Sequence, residues 1–222
     1  MIWSHISALG GLAVTLVVAV AIAAWLVGAR CWRLALAWSL LFGAALAIAV
    51  ASQAAFIGWG LGVRRLDFTG FSGHATRAAA VYPVAMWLLF ERDRHWRRRL
   101  GFAAGAALAA LVALARVRVG AHSVAEAALG LALGMCAALL FVARARANRR
   151  GSKKPLLVGG MALAVLVLPR GEPLDTHQWV TALALTAAQQ DRPYERWTWA
   201  RSPQPYQPPC AHEKVRLGYF CT

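Results

Sequence analysis

The sequence predicts an all-α protein: an integral membrane bundle of about six transmembrane helices, followed by an extramembrane C-terminal tail. Three observations predict it. The 222 residues are 59% hydrophobic and 15% charged, whereas a soluble domain carries about 25% charged residues. Residues 6–29 and 34–63 contain no charged side chain, and a bilayer span needs only about 20 such residues. Of the 24 Lys and Arg, 13 fall in three short connectors: Arg30 with Arg33, residues 92–99, and residues 144–154.

Those connectors alternate with segments poorer in basic residues, which is the pattern the positive-inside rule produces. Both termini, and the loops that leave the second and fourth spans, then fall on the outer side, which is the periplasm if the host is a Gram-negative bacterium. The net charge of +15 reads as topology plus attraction to anionic headgroups. A nucleic-acid partner is not expected, because the charge is dispersed among connectors instead of gathered on one face.

Taken in order, the first span covers residues 6–27. No basic residue precedes it and no clear small-residue cleavage site follows it, so it is expected to be retained and not removed as a signal peptide. The second span covers 34–59, and an outer loop of residues 60–73 carries Arg64, Arg65 and Asp67. The third covers 74–90. The fourth, residues 100–115, is only about 24 Å long as a helix, so flanking arginines must snorkel to the interface. The fifth covers 123–143, and a short sixth covers 156–168. Together they form a membrane domain of residues 1–168, whose motif-bearing core is 60–143. Trp25, Trp32, Trp59 and Trp96 lie near span ends, as an interfacial aromatic belt would have them. Small residues such as those of 101–105 allow close helix packing.

The tail, residues 169–222, is expected on the periplasmic side and is rich in proline. Within it, Trp179, Val180, Leu183 and Ala187 recur at helical spacing, which predicts a short helix lying on the membrane or on the spans. Cys210 and Cys221 are the two cysteines outside the membrane. In an oxidising compartment they suggest a disulfide, with a pair of free thiols as the alternative.

Chemistry concentrates in two stretches, Ser72-Gly73-His74 and Arg116-x5-His122-x3-Glu126. Ionisable residues beside a hydrocarbon zone are costly unless they pair and work. His122 and Glu126 are four residues apart and share a helix face. A carboxylate on one imidazole nitrogen fixes the tautomer and leaves the other nitrogen as a nucleophile. Gly120 lets the chain turn between Arg116 and His122, and a guanidinium there could clamp two phosphoryl oxygens. Ser72 and Gly73 open the third span, where backbone N–H groups offer an anion site, with His74 beside it as acid and base. Ser123-x-x-Glu126 is also a capping box, a role compatible with the first.

Phe71-Ser72-Gly73-His74 followed by Arg116-x5-His122-x3-Glu126 resembles the second and third signature motifs of the type-2 phosphatidic acid phosphatase superfamily, Pro-Ser-Gly-His and Ser-Arg-x5-His-x3-Asp. The superfamily also includes bacterial acid phosphatases and vanadium haloperoxidases. By that resemblance His122 would form a phosphohistidine and Glu126 would hold it. His74 would protonate the leaving group and then activate water, while Arg116, Ser72 and Gly73 would bind the phosphoryl oxygens. No metal or other cofactor is required. The family's first motif, Lys-x6-Arg-Pro, is missing. Arg64 and Arg65 are the favoured substitutes as phosphate ligands, and Arg77 is a second candidate.

The resemblance implies a metal-independent lipid phosphatase in the bacterial inner membrane, acting on a phosphomonoester or diphosphate at the outer face, with a membrane lipid as its partner. Two variants stay open: a catalytically silent relative that binds phospholipid headgroups, and a lipid phosphotransferase using the same site.

Overall fold

A computed structural model describes residues 2–90, 95–146 and 176–196. The described residues fold as an all-α bundle. In chain order the helices are α1 (Ile2–Ala8), α2 (Leu12–Gly28), α3 (Trp32–Trp59), α4 (Gly73–Leu89), α5 (His95–Arg118), α6 (Val124–Arg146) and α7 (Thr176–Ala188), with a 3-10 turn at Arg64–Leu66. Four segments are long and apolar enough to cross a membrane: Ile2–Gly28, Trp32–Trp59, His95–Arg118 and Val124–Arg146. The protein is therefore a helical membrane protein. The expected sixth span and the Cys210–Cys221 pair lie outside the described residues.

The centre of the bundle is α4. Its residues from Ala75 to Ala85 are all buried, Thr76 and Arg77 among them. At 17 residues it is about 26 Å long. Small residues on its neighbours let their backbones close on it. A Cβ on Gly134 of α6 would overlap the Thr76 carbonyl oxygen, and one on Gly105 of α5 would stand 2.5 Å from the Tyr82 carbonyl oxygen. The other core layer joins α2, α3 and α6 around Trp38. Its ring stacks on Phe42, meets Phe141 edge-on, and donates its indole N–H to Ala19 O at 3.0 Å. Leu36, Leu40 and Ile48 of α3 and Leu139 of α6 point outward and are exposed, the arrangement a lipid solvent requires.

Two elements differ from the sequence reading. The first apolar stretch is interrupted at Leu9-Gly10-Gly11, so α1 is separate from α2 and packs on α5. Three carbonyl or hydroxyl acceptors in and before this break take hydrogen bonds from α4 and α5, which compensates the broken helix. The fourth span is longer than expected, because α5 runs through its flanking arginines. Their apolar stems continue the helix, and at the end distant from the motifs Arg98 lies over Trp87, 4.0 Å from the ring centroid.

The amphipathic segment of the tail is α7, and it lies on the spans. Val180 and Ala184 are buried against Ile57 of α3. Trp179 and Leu183, grouped with Val180 by spacing, are instead exposed. The helix docks through a narrow strip, and its two bulkiest apolar side chains face away from the bundle.

Candidate active site

The two motifs meet at one end of the bundle. The loop after α3 is tied down first. Ser52 Oγ accepts the Phe71 N–H at 3.0 Å, and Gln53 Nε2 donates to Phe71 O at 2.7 Å. Ser72 then occupies the position just before α4, and its N–H donates to Glu126 O at 3.1 Å. This backbone bond joins the α4 start directly to the first turn of α6. Gly120 makes the turn from α5 into α6 with a φ of 71°, a left-handed conformation that a residue with a Cβ adopts at a cost.

Glu126 is fully buried and is the hub of the site. Its Oε2 takes His122 Nδ1 at 2.8 Å and the Ser123 N–H at 3.1 Å. Its Oε1 takes the Thr69 N–H at 2.8 Å and the Thr69 hydroxyl. Ser123 Oγ in return accepts the Glu126 N–H at 3.2 Å, so the capping box forms and the carboxylate still reaches the histidine. Glu126 therefore makes the capping contact and the histidine contact at once. Because an ionised carboxylate only accepts, His122 must carry its proton on Nδ1, which leaves the Nε2 lone pair available.

His74 is held in the opposite sense. Arg77 Nη2 lies 3.4 Å from His74 Nδ1. A guanidinium only donates, so Nδ1 is the acceptor and the His74 proton sits on Nε2. His74 follows Ser72 by two residues, and the Ser72 N–H is bonded to Glu126, the partner of His122, while Arg77 and Arg116 both reach the Ser7–Gly10 stretch. The two histidines and two arginines therefore share one site.

The arginines are held by neutral groups. Arg77 donates from Nε and Nη2 to Gly10 O at 3.3 and 3.2 Å. Arg116 Nη1 donates to Ser7 Oγ at 2.9 Å. A neutral acceptor orients a guanidinium without cancelling its charge. Arg116 Nε and Ser72 Oγ are buried and make no hydrogen bond among the described residues. Buried polar atoms normally find partners, so each of these two motif residues keeps a donor to offer an anion. Gly73 opens α4 beside them, with the Arg77 guanidinium nitrogen 3.0 Å from where its Cβ would stand.

Arg64 and Arg65 lie in the exposed 3-10 turn of the same loop, three and two residues before Asp67. Among the described residues no three of His, Cys, Asp and Glu come together as a metal site. Several site residues escaped the sequence reading. Ser7, Gly10, Ser52, Gln53 and Thr69 act through neutral or backbone groups, which carry no motif. Arg196, whose Nη2 stands 2.5 Å from Glu126 Oε2, follows Glu126 by 70 residues, in a stretch without periodicity.

The family model for the PAP2 superfamily matches residues 58–150, the span that contains every one of these motif residues. A protein of Klebsiella pneumoniae, described as an uncharacterized 22.5 kDa protein in the cps region, is 37% identical over 201 residues. The alignment covers 88% of this chain and 96% of that protein. The chain belongs to the PAP2 superfamily. No solved structure matches it. PAP2 membership supports phosphatase-type chemistry in general, and the two signature motifs are those whose side chains converge here. The PAP2 motif residues thus form one constellation: His122 on Glu126, His74 on Arg77, and Arg116 on Ser7.

Proposed function

We propose that this PAP2 protein is a lipid phosphatase of the bacterial inner membrane. It hydrolyses a phosphomonoester or diphosphate at the periplasmic face through a phosphohistidine on His122. The observation that carries the reading is how the two rings are held: His122 Nδ1 sits on Glu126 Oε2 at 2.8 Å and His74 Nδ1 lies 3.4 Å from Arg77 Nη2, which leaves the Nε2 of each ring to do the chemistry. A nucleophile and a general acid are what cleavage of a phosphate ester needs.

In the first step His122 Nε2 attacks phosphorus and the bond from phosphorus to the leaving oxygen breaks. His74, protonated on both ring nitrogens once the phosphate anion lies beside it, gives its Nε2 proton to that oxygen and becomes neutral. Glu126 stabilises the positive charge that develops on the His122 ring. In the second step His74 takes a proton from water, whose oxygen attacks phosphorus. The P–N bond breaks, inorganic phosphate leaves, and both histidines return to their starting states. Arg116, Ser72 and Gly73 bind the phosphoryl oxygens, and Arg77 adds the positive charge that the missing first motif would have brought. Arg64 and Arg65, on the exposed turn, meet the outer charges of the headgroup. Preorganised donors of this kind stabilise the charge of a phosphoryl transition state without reorganisation. This scheme routes no step through a metal ion.

The test is phosphate release by detergent-purified protein in EDTA from phosphatidic acid, phosphatidylglycerol phosphate and undecaprenyl diphosphate, with His122→Ala alongside. Release that survives EDTA and disappears in the variant is the expected result. A covalent phosphoenzyme labile to acid and stable to base would place the phosphoryl group on nitrogen. Well-folded protein that releases phosphate from none of these lipids refutes the phosphatase reading and favours a lipid-binding relative. Transfer of the label to a second lipid instead of water would identify a phosphotransferase.

A further inference from the structure

The tail returns to the site. After α7 the chain is fixed by Tyr194, whose N–H donates to Ile57 O at 2.8 Å and whose ring covers Gly60. Gly58 brings α3 and α7 together, since a Cβ there would stand 3.0 Å from the Ala188 Cβ. Two residues after Tyr194, Arg196 reaches into the hub. Its Nη2 stands 2.5 Å from Glu126 Oε2 and 3.5 Å from Thr69 Oγ1, and its Nε lies 3.4 Å from Asp67 Oδ1.

Arg196 differs from the other two site arginines in what it touches. Arg77 and Arg116 rest on a carbonyl and a hydroxyl, so their charge is available to an anion. Arg196 rests on two carboxylates and shares with His122 the same oxygen of Glu126. Its charge is matched inside the protein, so it is poorly placed to serve as a phosphate ligand. What it can do is fix the carboxylate. A charge-assisted bond of this length restricts the Glu126 side chain, and the plane of that carboxylate decides where His122 Nε2 points.

We infer that Arg196 is a positioning residue of the phosphatase site, supplied by the C-terminal segment to lock Glu126 and thereby aim His122. The inference rests on the phosphatase reading above. It makes residues 176–196 part of the working site, so the site draws on a stretch beyond residues 58–150 that the family model matches.

The experiment measures kcat and KM for phosphate release from dioleoyl phosphatidic acid and undecaprenyl diphosphate in dodecylmaltoside micelles. The proteins are full-length wild type, Arg196→Ala, Arg196→Lys, Glu126→Gln and the double variant Glu126→Gln/Arg196→Ala. Arg196→Ala is expected to lower kcat about 10- to 150-fold, the range for one hydrogen bond to a charged group, with KM within about twofold on the same argument. Arg196→Lys, which keeps the charge but loses the fork, recovers part of that loss. Methylguanidinium added to Arg196→Ala restores activity in part. Because Arg196 acts through Glu126, the double variant is no slower than Glu126→Gln alone. A wild-type kcat in Arg196→Ala, a rise in KM alone, or full additivity in the double variant each overturns the inference. Tail detachment in Arg196→Ala is separated from lost aim by Arg196→Lys, which keeps the pairing with Asp67. Wild-type protein without turnover overturns the phosphatase reading itself, whereas active wild type with an indifferent Arg196 overturns the inference alone.

Discussion

Replacing Glu126 by aspartate would restore the residue that the family motif usually has, and the structure predicts that it damages this enzyme. The substitution withdraws the carboxylate by one carbon–carbon bond, about 1.5 Å. The contacts to His122, Thr69 N and Ser123 N now measure 2.8, 2.8 and 3.1 Å. Each would open beyond about 4 Å, past hydrogen-bond range, unless α6 moved to compensate. That movement is obstructed. Ser72 N already bonds to Glu126 O at 3.1 Å, and a Cβ on Gly130 would stand 2.7 Å from Ser72 O, so α6 is against α4 backbone to backbone. The lost bond from His122 to a charged acceptor is worth about 1.5–3 kcal/mol. If all of it is felt in the transition state, kcat falls about 10- to 150-fold. The assay is steady-state phosphate release from the best lipid of the panel, with thermal unfolding in detergent to confirm a folded variant. A Glu126→Asp protein with wild-type kcat would show that the carboxylate does not aim His122 as described.

The packing predicts a contrast between two glycines. Gly134→Ala collides with the Thr76 carbonyl oxygen and should lower Tm by an amount equivalent to about 1–3 kcal/mol of overpacking. Gly43→Ala, inside α3 with nothing within 4 Å of the new Cβ, should leave Tm unchanged or raise it. Arg116→Lys keeps a positive charge but cannot grip two oxygens and Ser7 together. Its kcat/KM should fall about 10- to 100-fold, and equal activity of the two proteins would remove Arg116 from the phosphoryl group. Ser7→Ala removes one neutral acceptor from Arg116. A net hydrogen bond of about 1 kcal/mol predicts roughly a fivefold loss of kcat/KM, readable in the same assay, and an unchanged value would mean that α1 merely covers the site.

Much of this was legible because membrane helices leave simple marks. A run without charge and a basic connector on alternate sides give the spans, and α3 ends at Trp59, where Gly60 turns into a left-handed conformation. His122 and Glu126 were legible as a pair because four residues on a helix bring side chains together whatever the rest of the fold does. The break between α1 and α2 was not. Glycine reads as apolar in a hydropathy count, and the acceptors that rescue the broken turn come from Arg77, Tyr82 and Arg116, which lie far along the chain. The length of α5 is not legible from charge, because the helix runs on through arginines whose apolar stems lie along it while their heads reach water. Arg77 stood out as a charge inside a span, yet its partner is a backbone carbonyl, invisible to any residue pattern. Arg196 left no mark at all, since its position depends on how α7 docks on α3.

One feature of the bundle bears on how such proteins can change over time. Since α4 touches its neighbours on every side, it has no surface on which to meet the bilayer. Adaptation to thicker, thinner or differently charged membranes must therefore be written in the outward side chains of its neighbours, such as Val20 of α2, Leu40 of α3, Leu111 of α5 and Leu139 of α6. Those positions can drift while the motif-bearing end stays constant, and lineages living in unlike membranes can keep one arrangement of motif residues inside quite different coats.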